Sequence, residues 1–163
     1  MKRLHLFLVM IFPIIIYSSC DSDIHPLYLD NIAGFPISCY VADGLNTGFS
    51  YPTICLPSEL SDFCLTENIS GSAKIYERDC WDYEDLVSTT HQGILSIYIF
   101  DQRIVDSNGW EDVLSNNRYV VRYDLTAADL DLLKGHLSFP PNEAMKDIEM
   151  APPYSSFTDK TRK

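Results

Sequence analysis

The 163-residue chain is long enough for one domain with a core of its own, and 46% hydrophobic against 21% charged residues is a folding composition. Twelve basic residues face 23 acidic ones, a formal net charge of −11. Such a surface repels phosphate backbones and anionic headgroups, so nucleic-acid binding is not expected, and its simplest use is solubility.

In chain order, Met1, Lys2 and Arg3 form a positive start, followed by an apolar run from Leu6 to Tyr17 broken only by Pro13. The run is too short to span a bilayer comfortably, which takes about 20 residues, and it has the form of the apolar part of a secretory signal. Ser18, Ser19 and Cys20 follow, then Asp21 and Asp23. This segment resembles a bacterial lipoprotein precursor, in which cleavage occurs just before a cysteine already carrying a diacylglycerol. Ser18-Ser19-Cys20 matches the small-small-Cys part of that signal, whereas Tyr17 stands where an aliphatic residue is usual. An ordinary secretory signal and an uncleaved anchor are the competing readings. The resemblance implies lipidation of Cys20, removal of residues 1–19 and attachment to the membrane through the lipid. Asp21 and Asp23 resemble the acidic export signal of Bacteroidetes-type lipoproteins, which directs them to the cell surface; the plain alternative is a solvated tether. Lys2 and Arg3 lie in the leader and no acid precedes Asp21, so the remaining chain carries 10 basic and 23 acidic residues, a net charge of −13.

Residues 20–33 read as the lipidated cysteine and a short tether, 34–154 as the globular domain, and 155–163 as a disordered tail. Phe35, Ile37, Cys39 and Val41 alternate with Pro36, Ser38, Tyr40 and Ala42, the period of a half-buried strand. Turn residues occupy 43–48, and 49–71 read as irregular. Residues 72–76 suit a second strand, with Ala73 and Ile75 on one face. Asp82 to Val87 read as a short helical turn. The ILSIYIF run at 94–100 is apolar on both faces and belongs at the centre of a sheet. A short helix follows at 110–114. From Arg118 to Leu125 the pattern places Tyr119, Val121, Tyr123 and Leu125 inward and Arg118, Arg122 and Asp124 toward solvent. Thr126 and Asp129 suggest a capped helix that Gly135 stops. Pro140-Pro141 break the following segment, and 146–150 read as a last strand. Five or six strands with a few short helices make a β-rich α+β domain, either sandwich-like or a sheet with helices on one side.

Residues 122–141, RYDLTAADLDLLKGHLSFPP, resemble a stretch typical of small Bacteroidetes-type lipoproteins to which no activity is assigned. The segments LSIYIFD and GWEDV and the pair Tyr51-Pro52 share the likeness, which spans roughly residues 31–154. It implies a lipid-anchored protein of the outer membrane or cell surface and brings no catalytic residue with it.

Cys39, Cys55, Cys64 and Cys80 are an even set that invites disulfides in an exported protein, with three connectivities open. Buried thiols are the alternative, since Cys39 lies on the apolar face of its strand. There is no C-x-x-C and no Cys/His pair at ligand spacing, so neither a metal nor a cofactor is expected. G-x-S-x-G and S-x-x-K are absent as well. The weak catalytic candidates are His91, in a loop, and the acids Asp82, Glu84 and Asp85 beside Trp81 and Tyr83. Those acids could serve proton transfer on a glycan, or form an exposed turn whose aromatics pack inward. Asp106, Asn108, Glu111 and Asp112 lack the glycine position and distal glutamate of a calcium loop. The leading expectation is therefore a non-catalytic envelope or surface module that engages a protein or glycan partner. A lipid-anchored glycan hydrolase and an inhibitor or immunity-type module are the alternatives.

Overall fold

The computed structural model describes residues 25–43, 56, 64–77 and 82–158, leaving aside the His91 side chain. Among these residues, eight strands form two sheets, and four helices complete a β-rich α+β domain.

The larger sheet has the order β3-β2-β5-β6-β8, with β2 (Ile37–Ala42), β3 (Leu65–Ile69), β5 (Leu95–Asp101), β6 (Val121–Leu125) and β8 (Glu149–Ala151) all antiparallel to their neighbours. The smaller has the order β4-β1-β7, where β1 (Leu27–Asn31) runs antiparallel to β4 (Ser72–Tyr76) and parallel to β7 (His136–Phe139).

The main core lies between the sheets. Alternate residues of the larger sheet, among them Cys39, Ile97, Ile99, Val121 and Tyr123, meet Leu27, Leu29, Ile75, Leu137 and Phe139 of the smaller one. Helices α1 (Tyr83–Ser88) and α3 (Ala127–Leu133) join this core through Leu86, Val87 and Leu130. A second core covers the opposite face of the larger sheet, where Tyr40, Tyr98 and Phe100 meet Val105, Val113 and Leu114 of α2 (Gln102–Ser115). Every residue of β2 and β5 is buried, as the double-sided apolar run of β5 requires.

Several segments differ from expectation. Residues 20–33 were expected to form a tether, yet β1 begins at Leu27 and is the central strand of the smaller sheet. Leu27 and Leu29 are fully buried, and Asn31 ends the strand by donating to the Phe35 and Ile69 carbonyls at 2.7 Å. The expected irregular region 49–71 contains β3, which pairs with β2. The helix expected at 110–114 starts at Gln102, capped by Asp101, and is interrupted at Gly109 (φ 80°, ψ 160°). Only glycine takes that backbone readily, and it turns Trp110 edge-on to Phe100 at 5.1 Å. The last strand falls at 149–151 rather than 146–150, because Asn142 caps a 3-10 turn at Glu143–Met145. Residues 155–158, expected in the disordered tail, form the helical turn α4 (Ser155–Thr158).

Arg122 and Asp124 were expected to face solvent, but they are 5% and 3% exposed. Strand β6 lies between β5 and β8, and its outward face carries a polar network instead of water. Asp124 accepts from Ser96 Oγ at 2.6 Å and from Arg122 Nε and Nη2 at 2.9 and 2.6 Å. Tyr98 sits opposite Arg122 in the register and meets Tyr119 edge-on at 5.4 Å. The alternation correctly separates the two faces of the strand but does not say what covers the second.

Candidate functional site

An open cleft of about 330 Å³ lies where the start of β1 meets α1 and α3, lined by His25, Pro26, Tyr28, Tyr83, Asp131 and Lys134. That volume lies at the small end of ligand pockets and suits one ring-sized or headgroup-sized moiety.

Each side of the cleft is held by local chemistry. The Thr126–Asp129 capping box starts α3: Thr126 Oγ1 accepts from the Asp129 amide, and the Asp129 carboxylate accepts from the Thr126 amide. The helix ends in a Schellman-type turn, in which Lys134 N donates to Asp131 O (3.1 Å) and Gly135 N to Leu130 O (2.9 Å). Lys134 itself takes the left-handed conformation (φ 51°), with Gly135 (φ 69°) directly after it. Gly135 could not carry a side chain here: a Cβ would overlap Tyr83 Oη and lie 2.6 Å from the Pro26 carbonyl oxygen. The Gly135 carbonyl accepts from Tyr28 N at 2.8 Å, tying the entry of β1 to the α3–β7 junction.

The walls are aromatic. His25 meets the Tyr83 ring edge-on at 5.0 Å, and Tyr28 stacks on His136 at 4.9 Å. Tyr28, Lys74 and His136 are register neighbours, so they form one row across the outer face of the smaller sheet. Burial, and then the nearby Asp131 carboxylate, raise the Tyr83 hydroxyl above its ordinary range. That hydroxyl therefore stays a neutral donor at physiological pH. Asp131 and Lys134 are both exposed, and among the described residues neither takes part in a salt bridge.

Of the acidic candidates, Asp82 caps α1, accepting from the Asp85 amide at 2.8 Å, while Glu84 and Asp85 are exposed in its first turn. Only their neighbour Tyr83 reaches the cleft. His91 begins a 3-10 turn at His91–Gly93. Cys20, Asp21, Asp23, Cys55, Cys80 and Trp81 lie outside the described residues.

Cys39 is a buried free thiol in the main core, and Cys64 lies in the second core across the sheet, so these two cannot bridge. Burial pushes the Cys39 thiol well above its usual range, which leaves it protonated and unreactive. The other two cysteines of the expected framework, Cys55 and Cys80, lie outside the described residues.

The residues that only partly resemble a calcium loop serve α2, as their lack of its glycine and distal glutamate implies. Asp106 accepts from Gln102 Nε2, and Asp112 accepts from Asn108 and pairs with Arg118. Among the described residues no group of three or more His, Cys, Asp or Glu could hold a metal ion. Among the described residues the exposed large apolar side chains are Ile32 just after β1, Ile104 on α2 and Leu132 on α3, in three separate parts of the chain.

Sequence reasoning placed His25 in the tether and His136 beside a helix stop, and it passed over Tyr28, Asp131 and Lys134 as site residues. The usable signal was the Leu27/Leu29/Asn31 alternation, which sends Tyr28 and Asp30 to the other face. No protein-family model, curated protein or solved structure matches the chain.

Proposed function

We propose that the protein is a lipid-anchored module of the bacterial cell envelope, attached at the outer membrane through Cys20, and that its folded domain binds a partner without catalysis. The Ser18-Ser19-Cys20 signal behind a short apolar run supports the anchor. Two or three acyl chains hold a protein far more firmly than one, because each buried methylene contributes about 0.8 kcal/mol.

The observation that carries the binding role is the cleft itself. It offers aromatic walls, one carboxylate and one ammonium, and the acids considered for hydrolysis do not line it. One carboxylate is half of the pair that glycoside hydrolysis ordinarily uses. Binding is therefore the chemistry best matched to this site.

The test uses the precursor expressed in an acylating bacterium fed an alkyne-tagged fatty acid. The wild-type chain takes up the label and sediments with membranes, whereas Cys20→Ala is unlabelled. Label retained by Cys20→Ala, or none on the wild type, overturns the anchor.

A further inference from the structure

The chain enters the fold at the cleft, since His25 and Pro26 form part of its lining and β1 follows at once. Only five Cα–Cα steps separate Cys20 from His25. Even fully extended, they span at most about 18 Å. If Cys20 sits in the headgroup layer with its acyl chains below, the cleft cannot rise farther than this from the bilayer. Residues 20–33 as one long tether would have let the domain stand much farther off; a strand beginning at Leu27 does not.

The lining carries two formal charges of opposite sign, on Asp131 and Lys134, and among the described residues they pair neither with each other nor with a third group. A ligand matching them presents an ammonium and a phosphate a few bonds apart. The ammonium faces Asp131 and the phenol rings of Tyr28 and Tyr83, a ring type that attracts cations through its π face. The phosphate faces Lys134 in a charge-assisted contact. A purely anionic headgroup fits less well, because it meets Asp131 and the excess negative charge of the chain. Leu132, 72% exposed and between Asp131 and Lys134 in sequence, is the apolar side chain that a headgroup layer would cover.

From this geometry we infer that the cleft is a membrane-facing site for the zwitterionic ammonium–phosphate headgroup of a phospholipid in the anchoring bilayer. The inference rests on the anchor proposed above and adds both an orientation and a ligand to it. Held by its acyl chains and, within this short reach, by a headgroup in the cleft, the domain keeps its cleft turned to the membrane. The outer face of its smaller sheet then turns toward the lipid.

The experiment takes the acylated mature chain into vesicles of phosphatidylcholine, into vesicles of phosphatidylglycerol and into detergent. Each sample is treated briefly with an acetylating reagent, and lysine modification is read by peptide mass. In phosphatidylcholine vesicles Lys134 is protected at least fivefold relative to detergent, and more than in phosphatidylglycerol, while Lys146 is modified alike in all three. Asp131→Asn removes the extra protection given by phosphatidylcholine without unfolding the chain, as its unchanged circular dichroism shows. Equal modification of Lys134 in all three samples, with the chain sedimenting on the vesicles, overturns the headgroup site and leaves the anchor standing. Failure of the chain to sediment with any vesicle overturns the anchor, and the headgroup site with it.

Discussion

In the larger sheet, Arg122 and Asp124 alternate with apolar neighbours and end up buried, bonded to each other and to Ser96. In the smaller sheet, Tyr28, Lys74 and His136 also alternate with apolar neighbours, yet they remain partly or fully exposed as one row. The same period thus produces a sealed network in one place and an accessible surface in the other. The difference lies in the layer beyond: among the described residues the larger sheet is covered on both faces, whereas the smaller has the shared core on one face only. Polar residues on a doubly covered sheet stabilise or specify the fold. Polar and aromatic residues on an open sheet are free to meet a ligand.

The largest effect that would break this comparison belongs to Arg122→Met, which strands the Asp124 carboxylate. Removing one partner of a buried pair costs about 3–5 kcal/mol, read as a shift in the urea midpoint. The double variant Arg122→Met/Asp124→Leu should recover much of the loss, since an apolar replacement leaves no charge buried. A cost below about 1 kcal/mol for Arg122→Met, the level of an exposed pair, would mean that this face is open to water after all.

Next in size is Gly135→Ala, which forces a side chain into a left-handed position against Tyr83 and the Pro26 carbonyl. Strain of this kind costs about 1–3 kcal/mol, measured by thermal unfolding. The changed Tyr83 environment should appear in near-ultraviolet circular dichroism. A neutral substitution would show that the α3–β7 junction yields, and the cleft could not then be called preformed.

Lys134→Ala should have the smallest effect on stability, within about 0.5 kcal/mol of the parent, as for ordinary surface positions. Together, Arg122→Met and Lys134→Ala separate the sheets: one unfolds the protein readily, and the other leaves the fold intact while removing the phosphate contact. A comparable loss from both would erase the distinction.

Much of the larger sheet was legible in the sequence. The run at 94–100 is apolar on both faces, and only a central, covered strand accommodates that; it forms most of β5. Thr126 and Asp129 announced the start of α3 because capping is a local interaction between neighbours in sequence. Strand β1 was missed because its five residues are stabilised by β4 and β7, whose positions in sequence lie far away. Its brief alternation also follows the polar segment at 18–23. The burial of Arg122 and Asp124 was illegible for a related reason: period-2 alternation is the same whether water or a polar network covers the second face. The cleft left no motif, since its residues come from positions 25–28, 83 and 131–134 and converge only through packing. What remained legible there was chemical type, an aromatic and charged mixture, without its assembly.

The anchor and the cleft beside it are one account, and the N-terminus of the mature protein tests that account most directly. Mass analysis of the N-terminal peptide, taken from protein extracted from membranes with detergent, is predicted to return Cys20 as the first residue, carrying a diacylglycerol on its sulfur. An N-terminal peptide that begins at another residue, or at an unmodified Cys20, would contradict it.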